Sequence, residues 1–264
     1  MDATPADQQD LLIEKSGAVA TLTLNRPRQR NALSKPLLAA LRQALAEIDK
    51  DETIRLVVLA GSGPAFCAGH DLKEIRANPD RPFLQDLFEQ CSAVMLAVQS
   101  IRQPVIAKVH GVATAAGCQL VASCDLAVAA SDSRFATPGV NIGLFCSTPM
   151  VALSRAVPRK AAMEMLLTGE MVDAEKALAL GVINRIADPE NLDKAVDDLV
   201  ATILSKSPVA LRTGKTAFYR QIEMTAEDAY DYVSQVMTEN MLHREAEEGV
   251  DAFLGKQPPP WHDD

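Results

Sequence analysis

Residues 115–125 read AAGCQLVASCD. They follow an apolar run, VIAKV at 105–109, and a stretch of small residues, HGVAT at 110–114. The first reads as a strand and the second as a loop. Ala115, Ala116 and Gly117 carry no bulky side chain, so another group can come close to their N–H groups. That group is either a ligand or a packed strand, and these residues alone leave both open. A helix beginning here would add the positive end of its dipole. Gln119 is the first polar side chain after the small residues.

Strand-like and helical runs alternate on both sides of this stretch. LLIEK and AVATLTL flank Ser16-Gly17, a hairpin signal. Ser34 reads as an N-cap with Pro36 in the first turn. The helix that follows keeps Leu37, Leu38, Leu41, Leu45 and Ile48 on one face. RLVVLAG, at 55–61, is a continuous apolar strand, as expected where a sheet is covered on both sides. Asp71 is a candidate N-cap for a helix beginning at Leu72. A helix over 84–100 leads to the strand at 105–109, and DLAVAA makes another short strand. This alternation predicts an α/β fold with a largely parallel sheet.

Helical patterns dominate beyond Pro149, interrupted by VINRI. Leu192, Val196, Leu199, Val200 and Ile203 mark one amphipathic helix. Pro208 opens another, and Thr225 caps a long helix ending near His243. We divide the chain into a core over 1–200 and a helical oligomerisation region over 201–264.

The chain has 264 residues, of which 48% are hydrophobic, enough for a substantial core. A formal net charge of −9 weighs against nonspecific nucleic-acid binding, which needs a positive field. Five cysteines show no CxxC pair and no Cys/His metal spacing, so buried thiols in a reducing compartment are expected. The acidic start, MDATPADQQD, resembles no secretory or transit segment. No apolar run approaches the ~18–20 residues of a membrane span. These features predict a cytoplasmic protein.

Three segments together resemble one family: NRPRQRNAL (25–33), FCAGHDLKE (66–74) and HGVATAAGCQLVASCD (110–125). They are similar to the crotonase superfamily, the enoyl-CoA hydratase/isomerase enzymes. MLLTGEMVDAEKALALGVINRI (165–186) and FLGKQPPPW (253–261) fit as well, so the resemblance runs nearly the whole chain in order. It implies a spiral of ββα units with a C-terminal helical region, assembled as a homotrimer or a dimer of trimers. It also implies an acyl-CoA thioester as ligand, with coenzyme A entering as part of the substrate and no tightly bound cofactor or metal.

By the same resemblance, the backbone N–H groups of His70 and Ala116 form an oxyanion hole. Ala68, Asp71, Leu72 and Gly117 join them around the substrate. Arg28, with Lys256 from the C-terminal arm, meets the anionic end of coenzyme A. Arg30 is a weaker candidate for that role, and Arg26 is weighed with it.

The chain departs from the hydratase pattern at two positions. Hydratases carry one glutamate after the small-residue loop and another after a proline. Here those positions are Gln119 and, in FATPGVNIGL, Gly139. Glutamine can orient water but is no base near neutral pH, and glycine offers no side chain. Ordinary hydration is therefore doubtful. The alternatives are an acyl-CoA decarboxylase-like lyase and a non-catalytic acyl-CoA-binding or regulatory protein. If glycine is dispensable at 139, restoring both carboxylates should raise hydration beyond the product of the single effects. His70, Cys146, Ser147 and Asn141 are further side chains to weigh. His110 reads as structural, and His243 and His262 as solvated or interface residues.

Overall fold

The computed structural model describes residues 9–262; the acidic segment before Gln9 and the side chain of His262 lie outside it. β1 (Leu11–Ser16) and β2 (Val19–Leu24) form the hairpin, with Gly17 in the left-handed region at φ +54°. The turn falls one residue later than the sequence signal, because Ser16 still pairs with Val19.

Four turns of chain then repeat one plan: a strand in a main sheet, a strand or bridge in a second layer, then a helix. β2 leads to Leu33 and α1 (Lys35–Lys50). β3 (Leu56–Gly61) leads past Cys67 and His70 to α2 (Leu72–Ala77) and α3 (Arg81–Ser100). β4 (Val105–Val109) leads to β5 (Val112–Thr114) and α4 (Ala116–Ser123). β6 (Leu126–Ala130) leads to β7 (Arg134–Ala136), a 3-10 turn at Pro138–Ile142, and α5 (Pro149–Ala156). This is the expected spiral.

After α6 (Arg159–Thr168), β8 (Val172–Asp173) closes the second layer antiparallel to β7. α7 (Ala174–Leu180) and β9 (Arg185–Ala187) follow, and β9 completes the main sheet in the order β1-β2-β3-β4-β6-β9. That sheet is parallel except for the hairpin. The second layer is held by the bridges Leu33–His70 and Cys67–Ala113 and by the parallel pair β5–β7.

Alternation along β3 explains its unbroken apolar run. Val57 and Leu59 enter the main core with α1 and α3, while Leu56 and Val58 face the opposite side. There Ile106 and Val128 join them under Leu192, Val196, Leu199 and Val200 of α8 (Leu192–Leu204). A strand buried on both faces needs apolar residues at every position.

Cap chemistry sets the helix starts. The Ser34 hydroxyl accepts from Leu37 N, and Asp71 accepts from the N–H groups of Lys73 and Glu74. α3 begins three residues earlier than its apolar pattern, because Asp80 caps it through Phe83 N. HGVAT is not all loop, since β5 runs through it.

Among the described residues, three α-helices follow α8: α9 (Pro208–Gln221), α10 (Ala226–Met241) and α11 (Arg244–Leu254), before a 3-10 turn at Pro260–His262. Thr225 caps α10, and His243 caps α11 by accepting from Glu245 N at 3.2 Å. α11 is absent from the sequence reading. Its arm folds back with Trp261 against Gly249, where a side chain would collide with the indole. Among the described residues, no helix is long and apolar enough to cross a membrane.

Candidate active site

The second layer brings the three motif segments together. Leu33 N donates to Gly69 O at 2.7 Å, and Asp71 N donates to Leu33 O at 3.1 Å. This register leaves His70 N pointing away from the arginine loop. On the other side, Thr114 N donates to Cys67 O at 2.9 Å and Ala115 N to Ala136 O at 2.9 Å. Ala116 is the first residue of α4, so its N–H has no carbonyl four residues back. Among the described residues, neither His70 N nor Ala116 N has an acceptor.

Gly69 makes the two donors neighbours. Its φ is +101°, and the Cβ it lacks would lie 2.9 Å from Ala115 Cβ and 3.5 Å from Ala116 N. Ala115 itself adopts φ 51°, ψ −119°, an unusual conformation for a residue with a Cβ. That conformation turns the chain from β5 into α4 within one residue. The result is two adjacent free N–H groups, one of them at a helix N-terminus, where charge developing on an oxygen is stabilised.

Within AAG, one residue is small for packing and another leaves its N–H open. Gly117 packs on the loop, since a Cβ there would strike the Cys67 carbonyl. Ala116 carries the open donor. Ala68 lies beside the pair, with its N–H on Arg30 O at 2.9 Å. Leu72, the first residue of α2, is exposed.

Polar side chains surround the donors, with Gln119 and Thr137 buried and His70 half-buried. The His70 ring meets Phe88 of α3 edge-on at 5.4 Å, and among the described residues its Nε2 has no partner. Burial pulls its pKa down to about 4, so the imidazole is neutral at physiological pH. Gln119, one turn into α4, is buried with its Oε1 unpaired among the described residues. Thr137, which follows the strand paired to Ala115, is buried with its hydroxyl likewise unpaired. No sequence motif marks Thr137.

Gly139 is glycine for reasons of space. Its backbone is not left-handed, yet a Cβ there would lie 2.7 Å from Leu144 O and 2.9 Å from Cys146 Sγ. Restoring a glutamate at 139 therefore needs the 144–146 segment to move, which corrects the expected gain from restoring both carboxylates. Burial raises the Cys146 thiol, so no thiolate is prepared for attack. Ser147 is exposed and donates to Phe145 O at 3.3 Å. The Asn141 amide lies against Gly169.

The arginine loop divides its work. Arg26 donates to Asp71 Oδ2 at 2.8 Å and to Ala32 O, and so fastens the loop to the cap of α2. Asn31, fully buried, donates to Ser62 O and Ala65 O. Arg28 and Arg30 are exposed. Lys256 is also exposed, just beyond α11, and among the described residues no hydrogen bond or ion pair joins its side chain to the arginine loop. His110 is structural, with Nε2 2.7 Å from Gly63 O.

A spiral of strand–strand–helix turns, with paired backbone donors where a small-residue helix begins, defines the crotonase class. The Enoyl-CoA hydratase/isomerase family model matches residues 14–264, and the chain belongs to that family. It is 43% identical over 250 residues to the mitochondrial enoyl-CoA hydratase domain-containing protein 3 of Xenopus laevis, covering 95% of this chain and 85% of the relative. The crystal structure of an enoyl-CoA hydratase from Mycobacterium smegmatis superimposes with a TM-score of 0.95 at 55% identity, covering 97% of this chain and 100% of that one. That of human enoyl-CoA hydratase domain-containing protein 3 gives 0.93 at 41% identity, with 96% and 100% covered.

Proposed function

We propose that the protein is an acyl-CoA-binding enzyme that stabilises a thioester enolate between His70 N and Ala116 N, without the carboxylate pair of ordinary hydration. The observation that carries this reading is the adjacency of two open backbone donors across Gly69. The only side chains at the hydratase positions are an uncharged amide and a hydrogen. Gln119 orients the acyl group or a water; it does not take a proton.

A second reading is acyl-CoA decarboxylation, which needs enolate stabilisation but no carboxylate base. The neutral, half-buried His70 supports it, because no fixed charge on that ring opposes loss of carbon dioxide there. Coenzyme A enters as part of the substrate, its anionic end meeting Arg28 and, from the C-terminal arm, Lys256. Assembly as a homotrimer or a dimer of trimers is part of the proposal. Five free, buried cysteines support a cytoplasmic location.

The test is a screen of enoyl-, malonyl- and methylmalonyl-CoA for turnover, with calorimetry of wild type and Arg28→Ala. Binding of all three thioesters, weakened by Arg28→Ala and by salt, is expected, with turnover of a malonyl-type substrate exceeding that of crotonyl-CoA. Binding without turnover of any would leave a non-catalytic acyl-CoA-binding protein. No binding would end the proposal.

A further inference from the structure

Lys215, on α9, is buried to 6% side-chain exposure and places its ammonium on three acceptors. Nζ donates to Val98 O at 2.9 Å, to Gln103 O at 2.8 Å and to Asp125 Oδ2 at 2.7 Å. Asp125 Oδ2 also accepts from Val105 N at 2.6 Å. Every N–H of the lysine is therefore engaged, and each bond reaches a different element of the core.

Those elements are the ones that carry the site. Val98 lies in the last turn of α3, among carbonyls without intrahelical partners, where a cation also meets the negative end of the dipole. The same helix holds Phe88 against His70. Asp125 follows α4, whose other end presents Ala116 N only eight helical residues away, about 12 Å. Val105 opens β4, with Gln103 two residues before it, and β4 feeds β5 and Ala115. One ammonium thus fixes the far ends of both supports of the donor pair.

We propose that Lys215 is a positioning residue. Through Val98 and Asp125 it lets the C-terminal helices set the separation of His70 N from Ala116 N, and so the polarisation of the bound thioester. This rests on the oxyanion reading given above. A site of backbone donors has no side chain to adjust, so its geometry depends on how the flanking elements are held. Lys215 comes from the helical third of the chain, and α9 packs directly on α10. What holds α10 therefore bears on the site.

The experiment binds butanoyl-CoA to the full chain and reads the thioester carbonyl band by Raman difference spectroscopy, alongside its affinity. Wild type should shift the band to lower frequency. Lys215→Met should keep the affinity while losing more than about half of that shift. Asp125→Asn, which keeps an acceptor for Val105 N but removes the charge, should give an intermediate shift, and it carries the test if Lys215→Met does not fold. A full wild-type shift in the folded variants overturns the positioning role alone. Binding to wild type without any shift overturns the oxyanion reading and this proposal with it.

Discussion

Gly69 lies against Ala115 so closely that the Cβ it lacks would stand 2.9 Å from Ala115 Cβ. The two residues precede the two open donors, His70 N and Ala116 N. Gly69 takes a φ of +101° that side chains disfavour, while Ala115 takes φ 51° despite having one.

Opposite outcomes follow for the two substitutions. Gly69→Ala should force the loops apart and strain the backbone, lowering stability by ~1–3 kcal/mol and turnover by ~10²–10³-fold, as loss of an oxyanion donor does. Ala115→Gly should relieve strain and leave turnover within a few-fold. Urea denaturation and steady-state kinetics check both; an inert Gly69→Ala would show that the contact does not set the site.

The hydratase positions respond differently. Crotonyl-CoA hydration by wild type should be well below the ~10 s⁻¹ of a typical enzyme. Gln119→Glu should fold and bind, with a small gain at most, because a water has only one carboxylate to hold it. Gly139→Glu should cost ~1–3 kcal/mol by overpacking against Leu144 O. The double variant should therefore be unstable, not a restored hydratase. Loss of enone absorbance and thermal melting give the two readouts.

Acid stability should fall in two stages. His70 is half-buried and neutral, with desolvation lowering its pKa to about 4, so the unfolded chain binds this proton more readily. The stabilisation is complete above the unfolded value of ~6.5 and declines as pH falls toward 4. Asp71 is partly desolvated, which raises its pKa, but Arg26 and the α2 amides outweigh that and hold it below the usual carboxylate range. Its contribution is present above ~3.9 and is lost below that. Denaturation midpoints against pH for His70→Gln should lose the first stage, and those for Asp71→Asn the second. An unaltered profile in either variant contradicts the assignment.

Association should be required for the native state. Within the subunit α10 has no buried residue, and Tyr230, Phe253 and Leu254 are 75%, 82% and 73% exposed. Light scattering at micromolar concentration should give the mass of a trimer or a hexamer, and a monomer mass would refute this.

The sequence exposed those features that a local pattern encodes. Ser34 and Asp71 announce their helices, and β3 announces a sheet covered twice. It hid the second layer, because β5 and β7 are three residues each and the bridges at Leu33 and Cys67 are single pairs, too short for periodicity to register. It hid the packing role of Gly139, since the atoms that fill the space belong to Leu144 and Cys146 rather than to a turn. Lys215 was hidden for a related reason. A lysine on an amphipathic helix reads as solvated until the fold shows three acceptors around it.

The proposed function requires a thioester oxygen bound between His70 N and Ala116 N with no carboxylate at the reacting carbons. The decisive measurement is a crystal structure of the complex with an acyl-CoA. The thioester oxygen should lie ~2.7–3.1 Å from both nitrogens, with no Asp or Glu oxygen within ~3 Å of the α or β carbon. A thioester oxygen held elsewhere, or a carboxylate in reach of those carbons, would contradict it.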